Sequence, residues 1–65
     1  MLIEITQDGS RYEGEVHEVD GLVTVLTDAG GKAETALGGS RLEPLARILL
    51  RQLASAGKAH ALPEQ

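Results

Sequence analysis

Apolar and polar residues alternate along the first forty positions and then switch to a helical period. "LIEIT", residues 2–6, alternates and is rich in β-branched side chains. It predicts a strand with Ile3 and Ile5 on one face. "RYEGEVHEV", residues 11–19, alternates again. Tyr12, Gly14 and Val16 fall on one side of it, and Glu13, Glu15 and His17 on the other. Val19 breaks that parity, so this strand is expected to bulge or end near Glu18. "LVTVLT", residues 22–27, carries Val23 and Val25 on one side and Leu22 and Leu26 on the other. Apolar residues on both sides predict a central strand covered on both faces. "KAETAL", residues 32–37, reads as a weaker edge strand whose Lys32 and Glu34 oppose edge-to-edge aggregation.

The segments between these runs have turn chemistry. "QDGS" at 7–10, "DG" at 20–21 and "DAGG" at 28–31 each join two strands. Asp20-Gly21 is the strongest hairpin signal, because a type I′ turn needs positive φ at both central residues.

Residues 36–57 change period. Ser40 followed by Glu43 matches a capping box, while Pro44 suits only the first turn of a helix and offers a second possible start. Steps of 100° place Leu42, Leu45, Ala46, Leu49, Leu50, Leu53 and Ala56 on one face, with Arg47, Arg51 and Lys58 opposite. Gly57 is the expected C-terminal cap. The expected architecture is α+β: an antiparallel meander of four strands followed by one amphipathic helix packed on the sheet. Residues 1–57 form the single ββββα domain, and residues 58–65 are expected as a flexible tail.

Length sharpens this picture. A chain of 65 residues buries only about 60% of the surface its unfolded form exposes. Chains this small commonly add disulfides, a metal or a partner. There is no cysteine, and His17 and His60 lie far apart. Neither a disulfide framework nor a thiol or zinc-finger site is available, which leaves self-association as the expected supplement. Tyr12 is the sole aromatic residue, so the stacking platforms that RNA and single strands require are missing. No apolar run approaches the ~20 residues of a membrane span, and "MLIEITQDG" lacks the basic and apolar regions of a signal peptide. A cytoplasmic protein with no membrane contact is expected.

Charge divides the chain. Residues 1–40 hold eight carboxylates against Arg11 and Lys32, whereas residues 41–65 hold Arg41, Arg47, Arg51 and Lys58 against Glu43 and Glu64. The basic stripe invites a nucleic-acid reading, but strands bearing Glu4, Glu13, Glu15, Glu18 and Glu34 would repel phosphate. Nucleic acid is therefore not the expected partner.

Three constellations have chemical potential. Glu13, Glu15 and His17 share one strand face and could ligate a divalent metal or serve acid–base chemistry. The solvated outer face of an antiparallel sheet has the same pattern, and that reading is preferred. Gly39, Ser40 and Arg41 lead into a helix N-terminus, the setting of an anion site. They lack the spacing of phosphate loops, and Glu43 competes for the same positive end. Leu22 and Leu26 together with Ile48 leave apolar surface beyond what one helix covers, which marks an interface. No nucleophile–base pair is present, so neither catalysis nor a cofactor is expected. The sequence points to a small non-enzymatic interaction module that self-associates as a homodimer or binds another protein. The rivals are a nucleic-acid-binding or regulatory accessory domain, and a small-anion site at the helix N-terminus.

Overall fold

A computed structural model describes residues 1–63. Four strands, β1 (Leu2–Gln7), β2 (Ser10–Val19), β3 (Leu22–Leu26) and β4 (Lys32–Ala36), precede one helix, α1 (Leu42–Ser55). The strands lie in the order β1-β2-β3-β4, and every neighbouring pair is antiparallel. This is the expected α+β meander with a C-terminal helix.

Two hairpins close with two-residue turns, because Gln7 pairs with Ser10 and Val19 with Leu22. Asp8 and Gly9 have φ of 52° and 79°, and Asp20 and Gly21 have 50° and 81°. Positive φ at both positions defines type I′, whose twist matches that of the strands. The Glu18 carboxylate accepts a hydrogen bond from the Gly21 amide at 2.7 Å and braces the second turn. This turn also decides between the two expectations at Val19, since the strand ends there, one residue past Glu18. β2 runs without a bulge to its last residue, since a type I′ turn needs an opposed pair directly before it. Val19 consequently points to the open side of the sheet and stays 67% exposed.

Alternation sorts the side chains. Ile3, Ile5, Val16, Val23 and Val25 share the face under α1 and are buried together with Ala46, Leu49, Leu50 and Leu53 of the helix. Tyr12, Ala33, Leu37, Leu42 and Leu45 pack around the edge of this cluster. Gly14 shapes the contact. A Cβ there would lie 2.9 Å from Val25 Cγ1 and 3.1 Å from Leu50 Cδ1, so the missing side chain lets Leu50 seat against the sheet. β3 departs from the expected two-sided burial. One helix covers one face only, and Leu22 and Leu26 on the other remain 46% and 37% exposed.

The helix starts one residue later than the capping box implies. Arg41 is the N-cap, with no side-chain cap hydrogen bond. Proline explains the shift. With Ser40 as cap, the first intrahelical bond would need an N–H from Pro44, which has none. With Arg41 as cap, Leu45 N–H donates to the Arg41 carbonyl at 3.3 Å, and Pro44 occupies a first-turn position where no donor is needed. Glu43 does not reach back to Ser40 but pairs with Arg47 one turn ahead, at 2.8 Å.

At the other end Ala56 is the cap and leaves the apolar face, exposed rather than buried. Gly57, at φ 74°, follows it. Its amide donates to Ala54 O at 3.1 Å, and Lys58 N–H donates to Leu53 O at 2.8 Å. These two bonds form a Schellman motif, which reverses the chain. Residues 58–63 then fold back along the body rather than leaving it. Ala59 is buried, the Lys58 carbonyl accepts from the Thr27 hydroxyl, and Leu62 N–H donates to Arg11 O at 2.7 Å. Gly31 permits this approach, because any Cβ there would collide with the Lys58 carbonyl. The last two positions of the expected tail, 64 and 65, lie outside the described residues.

Candidate functional site

The helix leaves one whole face of the sheet open, and most of the chemistry-bearing residues stand on it. Strand register arranges them in cross-strand rows. Leu2, Glu15, Leu26 and Lys32 are successive partners across all four strands. The next row holds His17, Thr24 and Glu34, and the one beyond it Val19, Leu22 and Ala36. Leu2 and Leu26, with Glu15 between them, and the adjoining Val19 and Leu22 therefore flank a polar row. The polar groups of this row pair with one another and with Glu15 and Lys32 of the row beside it. His17 Nε2 lies 2.9 Å from Glu15 Oε1, the Thr24 hydroxyl donates to Glu34 Oε2 at 3.1 Å, and Lys32 Nζ stands 3.7 Å from Glu34 Oε1. Such exposed pairs contribute little to stability, typically below about 1 kcal/mol. They do leave the polar groups between the patches with partners, which lowers the desolvation cost of covering the face.

The C-terminal return adds a wall. Together with the open face it bounds a cleft of about 250 Å³, with Leu2 and Leu26 on the floor and Glu13, Glu15, Asp28 and His60 around it. His60 Nδ1 and Asp28 Oδ1 are 3.6 Å apart. Sequence patterning missed this element, because Ala59 and Leu62 are too few and too irregularly spaced to show a period. The available signal is Gly31, a small residue where the returning backbone touches the β3–β4 loop.

The strand-face trio is only partly assembled. Glu15 and His17 touch, whereas Glu13 opposes Glu4 on β1. Among the described residues no three His, Cys, Asp or Glu side chains converge on a metal-sized site. Gly39, Ser40 and Arg41 form the approach to α1, but the Ser40 hydroxyl does not cap it. Ser40 and Arg41 instead border a shallow apolar groove with Pro44, Leu45 and Ile48. Ile48 is 48% exposed there, on the helix layer, and so does not share a surface with Leu22 and Leu26. The three expected interface residues thus belong to two opposite sides of the molecule.

The basic stripe is broken as well. Arg47 donates to the Glu4 carbonyl at 2.6 Å and to Glu43, so its guanidinium ties α1 to β1. Lys58 lies beyond the helix end. No helix among the described residues is long and apolar enough to cross a membrane. Compared with protein-family models, curated proteins and solved structures, the chain matches none.

Proposed function

We propose that this chain is a small non-enzymatic interaction module that binds a second copy of itself through the open face of its sheet. The observation that supports this reading is the exposure of Leu2 at 65%, Val19 at 67%, Leu22 at 46% and Leu26 at 37% on one face. A Val or Leu side chain contributes roughly 1.5–3 kcal/mol when fully buried, and a two-fold contact uses each of them twice. Burial of these residues on both copies is the contribution that opposes the entropy lost on association. The paired polar row between the patches is compatible with a closed contact, since its members have partners before the surfaces meet.

Sedimentation equilibrium from micromolar to about millimolar concentration tests the reading. Leu26→Lys places a charge among the exposed apolar residues of the face and is expected to lower the mass of the assembly. A wild-type chain that stays monomeric at about 1 mM, the weak end of the affinity scale, overturns the proposal. So does a Leu26→Lys variant of unchanged mass.

A further inference from the structure

The sheet has three stretches of edge, and two of them take hydrogen bonds from the rest of the fold. Met1 and Val16 exchange backbone hydrogen bonds, at 2.7 and 3.2 Å. By the alternation of antiparallel ladders, the backbone groups of Leu2, Glu4 and Thr6 face outward from β1. The central one, the Glu4 carbonyl, is taken by Arg47. The part of β2 that extends past β3 is covered by the C-terminal return, through Leu62 N–H to Arg11 O. β4 differs. Thr27 N–H bonds Gly31 O at 3.0 Å and Leu37 N–H bonds Gly21 O at 2.7 Å, at the two ends of the β3–β4 ladder. The same alternation turns the backbone groups of Ala33 and Thr35 toward β3 and those of Lys32, Glu34 and Ala36 outward. None of these outward groups has a hydrogen-bond partner among the described residues.

We propose that β4 pairs with β4 of a second copy, antiparallel about a two-fold axis at Ala33. Lys32 of each chain then opposes Glu34 of the other. Three features select this register. Lys32 and Glu34 both present outward backbone groups, so each cross-chain pair exchanges two N–H···O bonds. Opposite charges meet on the open face, whereas a two-fold axis at Glu34 would set two carboxylates against each other. On the helix side the axis brings two Ala33 methyls together, which leaves space for close approach. The charges that deter indiscriminate edge pairing thus permit one alignment.

Such pairing extends the sheet to eight strands, with both helices on one side and both open faces on the other. It is a separate contact from the open-face association and is compatible with it. Two edge-joined pairs facing each other make a closed four-chain assembly with the helices outside. The edge contact does not require the face contact, and different substitutions test the two.

The test is charge reversal and its rescue, read by sedimentation equilibrium. Lys32→Glu and Glu34→Lys each set like charges opposite one another and are expected to halve the mass of the assembly. The double variant Lys32→Glu, Glu34→Lys restores opposite charges at both pairs and is expected to restore the mass. All of these side chains are exposed, so folding is retained, which far-ultraviolet circular dichroism checks. Amide exchange adds a second readout: Lys32 and Glu34 gain protection as protein concentration rises, and lose it in either single variant. Unchanged mass and protection in both single variants overturns edge pairing, as does failure of the double variant to recover. Failure of the open-face reading looks different, because Leu26→Lys then leaves the mass as it was while the reversals still lower it.

Discussion

Replacing Gly14 with alanine tests how the helix is seated on the sheet. The added methyl would lie 2.9 Å from Val25 Cγ1, 3.1 Å from Leu50 Cδ1 and 3.5 Å from the Leu26 carbonyl. Val25 and Leu50 are both 0% exposed, so neither has free space to retreat into. Overpacking of this kind costs roughly 1–3 kcal/mol. Working against it, alanine restricts the unfolded chain and returns about 0.4–1 kcal/mol. The net expectation is a loss of about 1–2 kcal/mol, where each kcal/mol lowers the Tm of a domain this size by about 4–8 °C. Thermal and urea unfolding followed by circular dichroism measure it, at one fixed protein concentration because association shifts the midpoint. The companion Leu50→Ala should cost about 2–5 kcal/mol alone. In the double variant the new methyl enters the space Leu50 vacates, so the combined loss should fall short of the sum by roughly 1 kcal/mol. A Gly14→Ala variant that is more stable than wild type, or strict additivity in the pair, would refute the seating of Leu50 over Gly14.

Because Arg41 caps α1 without a side-chain bond, Ser40→Ala should change stability by less than about 0.5 kcal/mol, and Arg41→Ser should add about 1 kcal/mol by supplying the missing acceptor. A loss of about 1 kcal/mol on Ser40→Ala would instead restore the capping box. Gly31→Ala should push the Lys58 carbonyl away and release the C-terminal return, seen as faster exchange of the Leu62 amide; an unchanged rate would mean that the return does not lean on Gly31. With no third ligand converging on Glu15 and His17 among the described residues, zinc or manganese at about tenfold excess should leave the His17 ring resonances in place, and saturable micromolar shifts would revive a metal site.

The strand faces were legible because a period of two needs no tertiary information. Ile3 with Ile5, and Val23 with Val25, separate from their neighbours by alternation alone. Which face the helix takes is less obvious, since Leu22 and Leu26 are as apolar as the two valines. Gly14 carries that information: it stands on the valine side, where a side chain would block the helix. The helix start was obscured by two conflicting local signals. Ser40 and Glu43 have the spacing of a capping box, yet Pro44 forbids it once each turn's donor is traced. The C-terminal return was hidden because a single buried methyl, Ala59, and a few backbone hydrogen bonds leave no periodic trace.

The connectivity of the sheet bears on how the chain assembles. Each strand pairs with its neighbour in sequence across connections of two to five residues. Long-range closure depends on α1 and the return, through Arg47 to Glu4, Gln7 to Ser55 at 2.9 Å and Leu62 to Arg11. Hairpins joined by type I′ turns form within microseconds, but an uncovered sheet has nothing to shield Val23 and Val25 from water. Docking of the helix is therefore the event expected to convert transient hairpins into a cooperative fold. On that order of events, substitutions at Asp20-Gly21 should slow folding, while truncation of Leu53 should act mainly by hastening unfolding. A chevron analysis separates the two, since the first moves the refolding arm and the second the unfolding arm.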